Sequence, residues 1–166
     1  LASAKSYYTS DQTYLDYLWT NDASYEIIFK IGYTSTSYGS AIGSVFLGFT
    51  RDYYYFYPDY VPGNGLLSLY QDADGRTGVY FSTQQTGYSH KLNCPLLVKY
   101  YGNESLIQLN IYHVNMPKIL RLAEQYLIRA EAYCRLGNYS KASSDLTALR
   151  KSRYSTGGNL SVGEDN

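Results

Sequence analysis

The fold of this chain is decided by residues 121–154, which read RLAEQYLIRAEAYCRLGNYSKASSDLTALRKSRY. Apolar and small residues recur there at spacings of three and four, which predicts a first helix from Pro117 to about Leu136. Gly137 is typical of a helix C-terminal cap, and a second helix is predicted from near Asn138. Two amphipathic helices joined by so short a turn should pack antiparallel as a helical hairpin. The apolar stripes consist of Ile119, Leu122, Ala123, Tyr126, Ala130, Tyr133, Tyr139, Ala142, Leu146 and Leu149.

The part of the chain before this hairpin carries shorter patterns. Apolar residues on one face predict a helix over residues 11–19, and alternating β-branched and aromatic residues predict a strand over 25–31. Glycines and prolines interrupt residues 32–65, which we interpret as a long ordered loop region. A short helix capped by Asn64 follows. Short strands are then predicted at 79–81 and 96–100, so we expect a mainly α-helical fold with minor α+β character.

Composition limits the functions that the chain can have. Its 166 residues include 14 Lys and Arg against 14 Asp and Glu, so no basic surface for nucleic acid is indicated. No apolar run is long enough to span a bilayer, and the first residues lack the pattern of a signal peptide. Cys94 and Cys134 have neither metal-site nor redox-motif spacing, which favours two buried free thiols over one disulfide.

Residues 121–154 also resemble known families. The string is similar to the signature of the SusD/RagB family of outer-membrane nutrient-binding lipoproteins, approximately RLAE-x-YLIRAEA, a glycine-containing turn and A-x-x-DL-x-x-R-x-R. Residues 25–31, 66–76 and 98–100 resemble further segments of that family in the same order. The hairpin is also similar to a tetratricopeptide unit at its small, aromatic and turn positions. Those positions are Ala130, Tyr133, Gly137, Tyr139 and Ala142.

Membership of the SusD/RagB family would imply a SusD-like helical scaffold that binds oligosaccharide or polysaccharide without chemistry. The bound glycan would pass to a TonB-dependent, SusC-like transporter at the bacterial outer-membrane surface. The lipid anchor would be an N-terminal cysteine outside this sequence, since neither Cys94 nor Cys134 is near a start. We therefore expect residues 1–166 to be one domain from the interior of a longer protein. It would comprise a loop-rich part, 1–116, and a tetratricopeptide-like helix pair, 117–156.

The best candidate for ligand contact is the segment 51–60, which reads RDYYYFYPDY. Sugar rings stack their apolar face on aromatic side chains, while charged groups bind their hydroxyls. If the segment is extended, alternate rings face opposite sides, so at most half of them can contact a ligand. The alternative is that these aromatics are buried in the core or in a partner interface. The candidate residues are Arg51, Asp52, Tyr53, Tyr55, Tyr57 and Asp59, with Tyr33 and Tyr38 from the preceding loop.

The sequence predicts no catalytic residue, no metal site and no cofactor. None of the motifs GxSxG, GxxxxGK[ST], GxGxxG and HExxH is present, and neither His90 nor His113 has a motif partner. Residues 72–75 begin like a cation-binding loop but lack the later ligands, so a turn is predicted. Two alternative functions stay open. They are a tetratricopeptide-type protein-interaction module, which binds through the helix pair, and a surface glycosidase.

Overall fold

The computed structural model describes residues 12–33, 42–50, 55–70, 73–89 and 92–154. In these ranges the helices are α1 (Gln12–Thr20), α2 (Ile42–Leu47), α3 (Asn64–Leu67), α4 (Arg76–Tyr80), α5 (Glu104–Ile107), α6 (Leu122–Arg135) and α7 (Tyr139–Lys151). The strands are β1 (Ile27–Lys30), β2 (Phe81–Gln85), β3 (Asn93–Leu97) and β4 (Lys118–Arg121). A 3-10 helix, Val98–Tyr100, directly follows β3.

The predicted mainly α-helical fold class is wrong, because the described residues form a mixed α/β structure with two small antiparallel sheets. β1 pairs with β4, and β2 pairs with β3. β4 occupies positions whose spacing predicted a helix from Pro117, and that helix begins only at Leu122. The physical reason is long-range pairing. The backbone of β4 bonds to β1, where Lys30 lies opposite Lys118, and this partner cannot be inferred from local periodicity.

Three shorter elements agree with their predictions. α1 buries Leu15, Leu18 and Trp19, as its apolar face predicted. β1 lies within the predicted strand, and α3 lies where a short helix was expected. In α3 the cap is Gly63, and Asn64 is already helical.

Other local predictions are wrong in part. The predicted loop region contains α2, whose Gly43 and Leu47 are buried. Residues 79–81 end a helix and begin β2, and β3 ends at Leu97 because the chain tightens into the 3-10 helix. Both cysteines are free, as expected, but Cys94 is only half-buried and Cys134 is exposed.

The helical hairpin is confirmed as α6 and α7. Gly137 takes φ +71° between the helices, a conformation that favours glycine. The Asn138 side chain accepts a hydrogen bond from the backbone N–H of Lys141 and caps α7. Across the pair, the Arg129 guanidinium donates to both carboxylate oxygens of Asp145 at 2.7 Å and 2.6 Å.

The core lies between α1, α4 and the 3-10 helix. Leu15, Leu18, Trp19, Val79 and Tyr80 form its buried cluster. The Trp19 ring meets the Tyr80 ring edge-on, with 6.1 Å between centroids, and it meets the Tyr100 ring in the same way at 5.6 Å. These aromatic contacts connect α1 to the middle of the chain.

Two buried carboxylates connect the start of the chain to its C-terminal third. Glu26 is 1% exposed and accepts hydrogen bonds from Arg121 at 3.1 Å and from Arg153 at 3.0 Å. Asp22 is fully buried, takes φ +52° and pairs with Lys118. Buried charges of this kind are tolerated only when their partners are in place.

We expect Glu26→Gln to lower the free energy of unfolding by about 3–5 kcal/mol, because it leaves two arginines against a neutral side chain. Urea-induced unfolding followed by circular dichroism measures the change. The matched control is Glu131→Gln. Glu131 pairs with Arg135 on the surface of α6 and is expected to change the free energy by less than about 0.5 kcal/mol. Equal effects of the two substitutions would contradict this role for Glu26.

Candidate functional site

Residues 55–60 form an extended segment that backbone hydrogen bonds hold on two sides. The Tyr57 N–H donates to the carbonyl of Leu47 at 2.9 Å, which ties the segment to the end of α2. On the other side, the Gly87 N–H donates to the carbonyl of Phe56 at 2.9 Å. Because the backbone is fixed on both sides, the aromatic side chains of the segment keep defined positions.

Alternate rings of the segment point to opposite sides. Phe56 packs against Phe49, with 5.0 Å between ring centroids, and Phe49 in turn contacts Tyr101 and Tyr112. Tyr57 instead meets Tyr88 edge-on at 5.4 Å. The Phe56 side thus joins an internal aromatic cluster, while the Tyr57 side belongs to a different surface.

Three rings and one carboxylate lie on or beside this segment, and we call these four residues the aromatic surface: Tyr57, Asp59, Tyr60 and Tyr88. Tyr60 is 67% exposed and Tyr88 is 47% exposed, and the exposed Asp59 directly precedes Tyr60 in sequence. The Tyr88 hydroxyl donates to the carbonyl of Pro58 at 2.9 Å, which holds this ring beside the segment. A Cβ at Gly87 would lie 2.2 Å from the Tyr57 ring, so this close packing needs a glycine.

The structure brings together only some of the predicted site residues. Tyr55, Tyr57 and Asp59 lie on the one segment, whereas the half-buried Tyr33 follows β1. Tyr88 was not predicted. It follows β2 in the chain, and the contacts of Thr86 and Gly87 with Phe56 bring it to Tyr57. The candidates Arg51, Asp52, Tyr53 and Tyr38 lie outside the described residues, as does His90.

A buried histidine supports the internal cluster. The Phe49 backbone N–H donates to Nε2 of His113 at 3.0 Å, and His113 takes φ +65°. Burial is the main cause that holds the pKa of His113 below its usual 6.5, so the imidazole is neutral at pH 7. Burial likewise raises the pKa of Tyr101, so its phenol stays protonated. His113 therefore acts here as a hydrogen-bond acceptor within the structure.

The aromatic surface can bind a ligand that has both an apolar face and hydroxyl groups. Its rings offer stacking area, and the Asp59 carboxylate can accept hydrogen bonds. Among the described residues, no group of three or more His, Cys, Asp or Glu side chains could hold a metal ion. In the same ranges no helix has the length and apolar character needed to cross a membrane.

Comparison with solved structures finds a similar fold. The chain resembles surface glycan-binding protein A from Bacteroides uniformis, with a TM-score of 0.63 and 15% sequence identity. The likeness covers 90% of this chain and 35% of that one, so this chain spans about a third of its length. Neither the protein-family models nor the curated proteins include a match. At this identity, the likeness shows the fold.

We expect His113 to make the protein less stable as the pH falls. Because the pKa of His113 is lower in the folded state, the unfolded chain takes up this proton first, and stability is lost below about pH 6.5. One histidine cannot change the free energy of unfolding by more than ~1.4 kcal/mol for each pH unit. Urea unfolding at pH 7.5 and 5.5 measures it.

The control for this prediction replaces each of the two histidines by asparagine in a separate variant. His113→Asn, which tolerates the left-handed backbone, should remove the His113 part of the pH dependence, while His90→Asn should retain it. A wild-type profile unchanged by His113→Asn would show that this histidine does not titrate between the folded and unfolded states as expected.

Proposed function

We propose that this chain belongs to a cell-surface protein that binds oligosaccharide or polysaccharide nutrients without altering them chemically. The aromatic surface carries the proposal, because its exposed tyrosines lie on or beside a segment that backbone hydrogen bonds hold, next to the exposed carboxylate of Asp59. The shared fold supports it, since the similar structure is a surface glycan-binding protein.

The chemistry of the surface suits a sugar chain. Tyr60 and Tyr88 expose apolar ring area to water, which is unfavourable. The apolar face of a pyranose ring can cover this area. The Asp59 side chain has no ion pair within the described residues, so its oxygens are available to sugar hydroxyls. Stacking on flat rings tolerates many related glycans, which suits a protein that collects nutrients.

The finer parts of the proposal follow from the resemblance to the SusD/RagB family. In that role the whole protein is lipid-anchored at the outer membrane of a bacterium and passes its glycan to a SusC-like, TonB-dependent transporter. Residues 1–166 then form a single SusD-like domain of a longer protein, with the α6–α7 hairpin as scaffold. The ligand is held by the segment around Tyr57.

Affinity electrophoresis through a panel of polysaccharides tests the glycan-binding role. We expect at least one polysaccharide to retard the protein, and Tyr60→Ala and Tyr88→Ala each to weaken binding about tenfold, about 1.4 kcal/mol per ring. Tyr139→Ala is the matched control. Tyr139 is 63% exposed on α7, away from the aromatic surface, and its loss should leave retardation unchanged. Absence of retardation by every polysaccharide would overturn the proposal.

A second prediction concerns the geometry of the surface. Gly87→Ala places a methyl group where the Tyr57 ring lies, so the ring must rotate away and glycan binding should fall several-fold. The free energy of unfolding should change little, because the displaced atoms are the far end of a side chain. Gly65→Ala, which meets nothing within 4 Å, is the control for both measurements. Unchanged binding by Gly87→Ala would exclude Tyr57 from the site.

A further inference from the structure

Several cations surround the rings of Trp19 and Tyr80 in the core. The Lys99 ammonium lies 3.9 Å from the centroid of the Trp19 ring and 4.9 Å from that of Tyr80. Lys118 and Arg121 lie 4.7 Å and 5.4 Å from the Trp19 centroid. Both rings are buried, so these cations are attracted to aromatic faces in a region of low dielectric.

Lys99 differs from its cationic neighbours in having no carboxylate partner. Within the described part of the chain it forms no hydrogen bond and no ion pair, and its interactions are with aromatic rings. Each neighbouring cation, by contrast, contacts a buried acid. The pairs are Arg76 with Asp74, Lys118 with Asp22 and Arg121 with Glu26.

Lys99 is therefore the cation of this cluster whose charge has no acidic partner among the described residues. Burial lowers its pKa to about 8, and the charges of Arg121, Lys118 and Arg76 add to that shift. Besides the Lys99 ammonium, a second hydrogen-bond donor near Tyr80 lacks an acceptor among the described residues. This donor is Nη1 of the buried Arg153. Buried cations in excess of acids are costly, and an added anion would reduce that cost.

We propose that Lys99 anchors a binding site for the carboxylate group of a ligand. Lys99 is only half-buried, so part of the residue is in contact with solvent. A carboxylate is the partner that the neighbouring cations already use, and it would accept a hydrogen bond from the ammonium. The contacts that lead from Lys99 to the aromatic surface run through Tyr100, Phe46 and α2. The two sites share no residue, and this proposal does not depend on the glycan-binding function.

Nuclear magnetic resonance of the protein labelled with ¹⁵N at lysine tests the site directly. Acetate, glucuronate and glucose are added separately at constant ionic strength, and Lys99→Arg assigns the Lys99 signal. We expect a saturable shift of this signal with both carboxylates and none with glucose. If glucuronate binds more tightly than acetate, the site recognises an acidic sugar. If the two bind equally, the site recognises the carboxylate group and not the sugar ring. A response that is absent or never saturates would overturn the proposal.

Thermal unfolding gives an independent readout. At a tenfold excess over its dissociation constant, glucuronate should raise the unfolding midpoint of the wild type by about 3–6 °C more than glucose does. Lys99→Gln should lose this difference. Lys141→Gln is the matched control, because Lys141 also lies over a tyrosine ring, at 5.4 Å from Tyr133, but is exposed on α7. Equal stabilisation of the Lys99→Gln variant would also overturn the proposal.

Discussion

The buried carboxylate of Glu26 is the contact on which the rest of the structure depends, because it joins parts of the chain that are remote in sequence. Arg121 reaches it from β4, and Arg153 reaches it from beyond α7. The ladder of β1 and β4 contains register irregularities, so its backbone bonds alone specify the pairing weakly. Any other register would leave these buried charges unmatched, which costs several kcal/mol. The ionic contact therefore fixes the register.

Ring contacts and one backbone hydrogen bond connect the core around Trp19 to the aromatic surface. Trp19 meets Tyr100, and Tyr100 stacks on Phe46 of α2 with 6.0 Å between centroids. The end of α2 accepts the backbone hydrogen bond of Tyr57 through Leu47. The aromatic surface is thus supported by packed rings and a short helix, although its own residues lie on a loop. Such support is what a binding surface needs to keep its geometry.

The sequence predicted best where the determining contacts are local. Gly137 lies in the short turn between α6 and α7, and the apolar residues on either side of it recur at helical spacing. The hairpin could therefore be predicted from the sequence pattern alone. The burial of Glu26 could not be predicted from its sequence neighbours, because its partner Arg153 lies 127 residues later. The segment containing Tyr57 was found from its composition. Tyr88 was missed, since its position depends on a bridge between residues about thirty apart, which no local pattern encodes.

The separation of Glu26 from Arg153 also has a consequence during synthesis of the chain. Arg153 follows Glu26 by 127 positions, and at about 5–20 residues per second a ribosome needs roughly 6–25 s to extend the chain that far. During that time α1 and β1 have emerged, but the strand and the arginines that complete their burial do not yet exist. α1 and β1 therefore stay without these ionic contacts until Arg153 has been synthesised, and until then the apolar face of α1 is open to aggregation or to chaperones.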